Sequence, residues 1–197
     1  MALSGIGWVS QFPTSTSIND LDSSFRPKVQ AFADALATAG ANVTVTASRR
    51  PRQRAYLMHY CWTIWKHLTN PSHVPAFVPM AGEAKVDIEW LHTTPDGSPN
   101  VPASRAAAAA MVQAYAMTGL HVAPALNSNH IAGKALDMAV TWTGTLSVKD
   151  KAGHAVSIAT TPRDSTNAKL IEVGKTYGVI HFINVMKDKP HWSVNGH

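Results

Sequence analysis

Cysteine is nearly absent: Cys61 stands alone among 197 residues. One thiol cannot build a disulfide framework, and between Tyr60 and Trp62 it reads as a small buried hydrophobe. Charge is scarce as well. Charged residues make up 15% of the chain, against an average near ~25%, which argues against a coiled coil or a charge-patterned scaffold. No run approaches the roughly 18 apolar residues of a membrane span, so no stable membrane insertion is expected. Residues 1–10 lack a basic leader and a sustained apolar stretch, and do not read as a signal peptide. There are no repeats, and no low-complexity tract beyond the alanine run 106–110.

Hydrophobic residues reach 45%, close to the globular average, which excludes wholesale disorder. A chain this long suits one domain and buries about 70% of its unfolded surface. It needs no metal or disulfide merely to fold. Seventeen Lys and Arg against twelve Asp and Glu leave a net charge of +5. That balance suits an anionic partner: nucleic acid, anionic lipid or bacterial envelope polymer. The basic residues are scattered, however, with one local cluster at Arg49, Arg50, Arg52 and Arg54. Without a basic helix or tail, no nucleic-acid partner is expected.

Residues 1–22 are rich in Ser, Thr and Asp and read as an irregular leading segment, with the folded core over 23–194. Ser23 or Ser24 can cap a helix carrying Phe25, Val29, Phe32 and Leu36 at helical spacing, with Pro27 in its first turn and Gly40 as its stop. Residues 42–47 alternate as a short strand. Further helices are predicted over 55–68, 103–117 and 164–177. Six prolines fall within 70–102, a long loop region holding one short strand at 86–90. Strands are predicted at 136–143, 179–185 and 189–194. A hairpin joins 146–148 to 155–158 across Asp150-Lys151-Ala152-Gly153. The sum is a single α+β domain over 1–197, with helices packed on a small, mainly antiparallel sheet.

Ten histidines are the unusual feature. Seven of them, His154 and His197 included, lack a carboxylate at an interpretable spacing and read as surface or structural residues. His130 and His191 differ. His130 opens Ser128-Asn129-His130-Ile131-Ala132-Gly133-Lys134-Ala135-Leu136-Asp137, where Gly133 permits a sharp turn that can fold His130 and Asp137 to one point. His191 closes Asp188-Lys189-Pro190-His191, with a carboxylate three residues upstream and a proline stiffening the link. A catalytic zinc site needs three protein ligands and one open position. His130, Asp137 and His191 supply that count. Zinc lowers the pKa of bound water toward ~7, and a separate carboxylate must then move the proton. Asp188 is placed for that role. A capping aspartate and a core histidine are the plainer alternative in each segment.

These two segments carry a resemblance. SNHIAGKALD resembles the Ser-x-His-x-x-Gly-x-Ala-x-Asp motif of the zinc D-alanyl-D-alanine peptidase family, which includes vancomycin-resistance D,D-peptidases and phage L-alanyl-D-glutamate endolysins. DKPHW resembles the Asp-x-Pro-His motif of the endolysin branch. Ser48-Arg49-Arg50-Pro51, after a strand, resembles the family's Gly-Tyr-Arg-Ser/Pro segment, with Ser48 and Arg49 departing from its Gly and Tyr. The resemblance spans about residues 25–193. It implies a Hedgehog/D-Ala-D-Ala peptidase-like fold and one zinc ion on His130, Asp137 and His191. It also implies Asp188 as general base and Arg50, with Arg49 its nearest competitor, steadying the oxyanion. Ser128 would bind substrate or orient a ligand, unless it only forms the turn. His181 would contact substrate or support a ligand, unless it is simply a strand histidine. Trp192 reads as packing beside the site or as a pocket wall; Trp90 and His92 are candidates to line a peptide groove.

The expected function is that of a zinc metallopeptidase cutting a stem-peptide bond of bacterial peptidoglycan, favoured as L-alanyl-D-glutamate. The expected setting is a monomeric phage or prophage endolysin. It would be made in the host cytoplasm without a signal peptide and reach the periplasmic wall after membrane permeabilisation. A D,D- or L,D-carboxypeptidase is the alternative within enzymes. A non-catalytic zinc-containing wall-binding module is the alternative outside them.

Overall fold

Eight strands and four α-helices follow one another along residues 1–197 of the computed structural model: β1 (Ala2–Leu3), α1 (Arg26–Thr38), β2 (Asn42–Ala47), α2 (Arg52–Trp65), β3 (Ile88–Glu89), α3 (Val101–Ala114), β4 (Ala135–Thr141), β5 (Leu146–Lys149), β6 (Ala155–Ile158), α4 (Ala168–Thr176), β7 (Ile180–His181) and β8 (His191–Ser193). The fold class is α+β. The sequence reading places one domain over 1–197; the chain packs as two compact units, residues 1–13 with 51–127, and residues 14–50 with 128–197. Each has its own buried apolar cluster. No helix is long and apolar enough to cross a membrane.

In the first unit α2 packs against α3, and β1 pairs in parallel with β3. Trp8, Leu57, Cys61, Trp62, Ile64, Trp90 and Met111 are buried together. Cys61 is the small hydrophobe its neighbours suggest, and burial pushes its thiol pKa up. Trp90 lines no groove: it is buried, and its indole N–H donates to Tyr56 Oη at 3.1 Å. His92 Nε2 lies 3.0 Å from Ser4 Oγ. Helix α2 starts three residues earlier than its apolar pattern suggests, directly after Pro51. A proline there sacrifices nothing, because first-turn N–H groups have no helical partner.

The second unit is built on an antiparallel sheet of order β2-β4-β8-β7. Phe25, Val29, Phe32 and Leu36 form the single apolar stripe their spacing predicts, all fully buried, and α1 packs on β2 and β5. Strand β4 buries Leu136, Met138 and Val140 on the same side. By strand alternation Asp137 therefore projects from the other face. Trp192 of β8 joins the core, its ring 5.5 Å from that of Phe32, and its indole donates to the Met138 carbonyl at 3.0 Å. It is a packing residue.

Element ends in this unit also differ from the sequence reading. Neither Ser23 nor Ser24 caps α1 by its side chain; Asp22 organises that turn, accepting from Ser24 N–H at 3.0 Å. Helix α4 begins at Ala168 rather than 164, because Asn167 is the better-placed cap and accepts from the N–H groups of Lys169 and Leu170. Strand β7 spans two residues rather than 179–185. Beyond it the chain turns through 182–190 before β8.

Candidate metal centre

The register of the sheet assembles the site. Asp137 of β4 pairs directly with His191 of β8, so the two side chains stand side by side on one face. Ala47, at the end of β2, pairs with Asp137 from the other side after a β-bulge. The chain then continues into Ser48, which is buried. The turn 128–133 brings in His130. Its Gly133 has φ +69°, and a Cβ there would lie 2.8 Å from the backbone nitrogen of Asp22. Only glycine fits both the left-handed backbone and that approach.

His130 Nε2, Asp137 Oδ1 and His191 Nδ1 form a near-equilateral triangle. The edges are 3.2 Å between the two nitrogens, 3.4 Å from Oδ1 to His130, and 3.3 Å from Oδ1 to His191. Ligands held at about 2.0–2.1 Å by a tetrahedral ion stand about 3.3–3.4 Å from one another. Each imidazole also has an oxygen acceptor beside its outer nitrogen. His130 Nδ1 lies 2.8 Å from the Ser48 carbonyl, and His191 Nε2 lies 3.2 Å from the main-chain oxygen of His197. With those nitrogens donating, neutral imidazoles turn their lone pairs inward. Asp137 Oδ1 is buried and has no hydrogen-bond partner. Three electron-pair donors facing one another at this distance are spaced as a bound cation would hold them. The group His130, Asp137 and His191 can hold a metal ion.

The electrostatics reflect the crowding. Burial alone would raise the Asp137 carboxyl, but the adjoining imidazoles of His130 and His191 outweigh it and hold the group well below the usual carboxylate range. Burial opposes charging His191, yet Asp137 and the main-chain oxygen of His197 carry its pKa above the usual imidazole value. Asp188 stands outside the triangle, its carboxylate 4.0 Å from His191 Nδ1, and is about half exposed. Burial, then the negative charge of Asp137, raises its pKa above the ordinary carboxyl value.

The remaining sequence candidates fall at different places. The backbone N–H of Arg50 donates to the His130 carbonyl at 3.0 Å, and its side chain is half-buried; Arg49 is exposed. Ser128 shapes the turn: its carbonyl accepts from Ala132 N–H at 3.0 Å and its hydroxyl accepts from Ile131 N–H at 3.4 Å. His181 is buried, with Nε2 2.7 Å from the Lys189 carbonyl, Nδ1 3.1 Å from the Phe182 carbonyl, and its ring edge-on to Trp192. The shorter contact assigns the N–H to Nε2, donating to the Lys189 carbonyl, so His181 braces the 182–190 loop. That favours support over substrate contact.

Sequence reasoning missed Ser48, Asn129 and His197 as supports of the ligands, and Phe182, whose ring lies edge-on to His191 at 5.6 Å. Two of these act through main-chain oxygens, which carry no residue signature. His154, read as lacking a carboxylate, sits 3.2 Å from Asp150 on the exposed β5–β6 hairpin. Compared with models of known protein families and with curated proteins, the chain matches none.

Proposed function

We propose that this protein is a zinc metallopeptidase of the D-alanyl-D-alanine peptidase type, with the Hedgehog-like fold that resemblance implies. Its substrate would be a stem-peptide bond of bacterial peptidoglycan, L-alanyl-D-glutamate favoured. The observation that carries the reading is the triangle of His130, Asp137 and His191 with Asp188 at its edge. Two imidazole nitrogens and one carboxylate oxygen are a donor set that suits zinc, with a fourth position left for water. Zinc held there supplies positive charge to polarise a carbonyl and to lower the pKa of water toward ~7.

The protein's own residues would do the rest. Asp188 takes the proton as water's oxygen bonds to the scissile carbonyl carbon. It then delivers that proton to the departing amine nitrogen as the carbon–nitrogen bond breaks. Its raised pKa suits a group that must both accept and release a proton. Arg50, fixed through its backbone to His130, offers its guanidinium to the carbonyl oxygen as negative charge develops. Ser128 holds the turn carrying His130, and His181 the loop carrying Asp188.

Asp188-x-Pro190-His191 follows the endolysin pattern, which supports a lytic, phage-encoded role. The net charge of +5 favours contact with anionic envelope polymers. Mass spectrometry of fragments released from purified Gram-negative peptidoglycan tests the proposal, with His130→Ala as control. New N-termini on glutamate, with alanine left on the glycan, are expected. Release of terminal D-alanine alone would reassign the protein to carboxypeptidases, and no fragments from the zinc-loaded protein would refute a peptidase.

A further inference from the structure

We infer that Asn129 and the segment 193–197 form a latch that holds metal ligand His191 in its binding tautomer, with Asn129 as a positioning residue. The inference rests on the metal-centre reading above but not on peptidase activity. His191 needs an acceptor for Nε2–H if Nδ1 is to present its lone pair inward, and ligand imidazoles are generally fixed in this way by a partner beyond the metal. No side chain of the sheet supplies that acceptor. It is the main-chain oxygen of His197, 3.2 Å from Nε2.

That oxygen is held by a built turn. Asn129 donates its amide to it at 2.6 Å, and to Asn195 Oδ1 at 2.8 Å. The backbone N–H of His197 donates to Ser193 Oγ at 3.1 Å and to Asn195 Oδ1 at 3.2 Å. Gly196 donates to the same Ser193 hydroxyl at 2.9 Å and accepts from Ile183 N–H at 3.0 Å. Its φ of +76° brings it so near the sheet that a Cβ would stand 3.0 Å from the His181 carbonyl and 3.1 Å from the Ile183 side chain. Asn129 adjoins His130 in sequence. One residue therefore ties the turn bearing one ligand to the segment that orients the other.

The test is metal affinity, read with Co²⁺ by visible absorption and with Zn²⁺ by chelator competition, together with melting of the metal-free protein. Asn129→Asp keeps the shape but removes the amide donor; Asn129→Gln retains a donor. The expected result is a loss of roughly tenfold or more in affinity and an altered Co²⁺ spectrum for Asn129→Asp. Recovery toward wild type is expected in Asn129→Gln, with little change in metal-free melting. Wild-type affinity and spectrum in Asn129→Asp would overturn the inference, whether or not melting falls. Should that variant not fold, deleting Gly196 and His197 removes the acceptor without touching residue 129 and is read by the same criteria. A protein that binds metal tightly, shows this dependence and cuts no stem peptide would refute the peptidase reading alone.

Discussion

Substituting Gly133 by alanine should damage both the fold and the metal centre, and its size can be worked out. The backbone at Gly133 has φ +69°, which costs an alanine roughly 1–2 kcal/mol. The new Cβ would stand 2.8 Å from Asp22 N, too close for contact with a backbone atom, so one segment must retreat by a few tenths of an ångström. That retreat weakens the 2.9 Å hydrogen bond from Asp22 N–H to the Gly133 carbonyl, worth about 0.5–1.5 kcal/mol. The lower entropy of the unfolded alanine chain returns about 0.4–1 kcal/mol. A net loss of about 0.5–3 kcal/mol follows, and a melting point lower by roughly 1–12 °C for a chain of this size. His130 lies on the displaced turn, and its carbonyl accepts from both Gly133 and Arg50, so metal affinity should fall as well. Thermal melts of metal-free protein and Co²⁺ titration read the two effects. A Gly133→Ala variant with wild-type melting and affinity would refute the argument that the turn is sterically fixed.

Asp188→Asn should retain metal but lose about 10²–10⁴-fold in kcat, the contribution of a positioned acid–base group; full activity on peptidoglycan would remove Asp188 from the mechanism. Arg50→Ala should lower kcat by about 10²–10³-fold, as loss of an oxyanion donor does, while Arg49→Ala stays near wild type. The reverse pattern in steady-state assays would exchange their roles. In the metal-free protein, Asp137 has a depressed pKa and His191 a raised one. The Asp137 contribution is present above its unfolded pKa and is lost as pH falls through the lower folded value. That of His191 is full below its unfolded pKa and is lost as pH rises through its raised folded value. Stability from this pair should therefore be greatest between about pH 4 and 6.5. Metal-loaded protein should instead gain stability as pH rises through that range, because metal binds the neutral imidazole; parallel melting curves with and without metal would contradict this.

The amphipathic stripe of α1 and the alternation of β2 were legible because each repeats a periodicity that burial enforces. His130 and Asp137 were legible as a pair because Gly133 lets the chain turn between them, and His191 joined them through the resemblance of the two segments to the peptidase motifs. What escaped was register. That Asp137 faces His191 across β4 and β8, and that β2 delivers the Ser48 carbonyl to His130, are long-range pairings with no local signature. The supports of the imidazoles are main-chain oxygens of Ser48 and His197, for which residue identity is nearly silent. The grouping of residues 51–127 with 1–13 around one buried apolar cluster has no local signature either.

The central claim is that His130, Asp137 and His191 bind one metal ion. Equilibrium dialysis of the purified chain against Zn²⁺, beside His130→Ala, Asp137→Ala and His191→Ala, tests it most directly. One tightly bound ion per chain, lost or greatly weakened in each of the three variants, is the predicted result. A wild-type chain that retains no zinc, or variants that bind it as well as wild type does, would contradict the account.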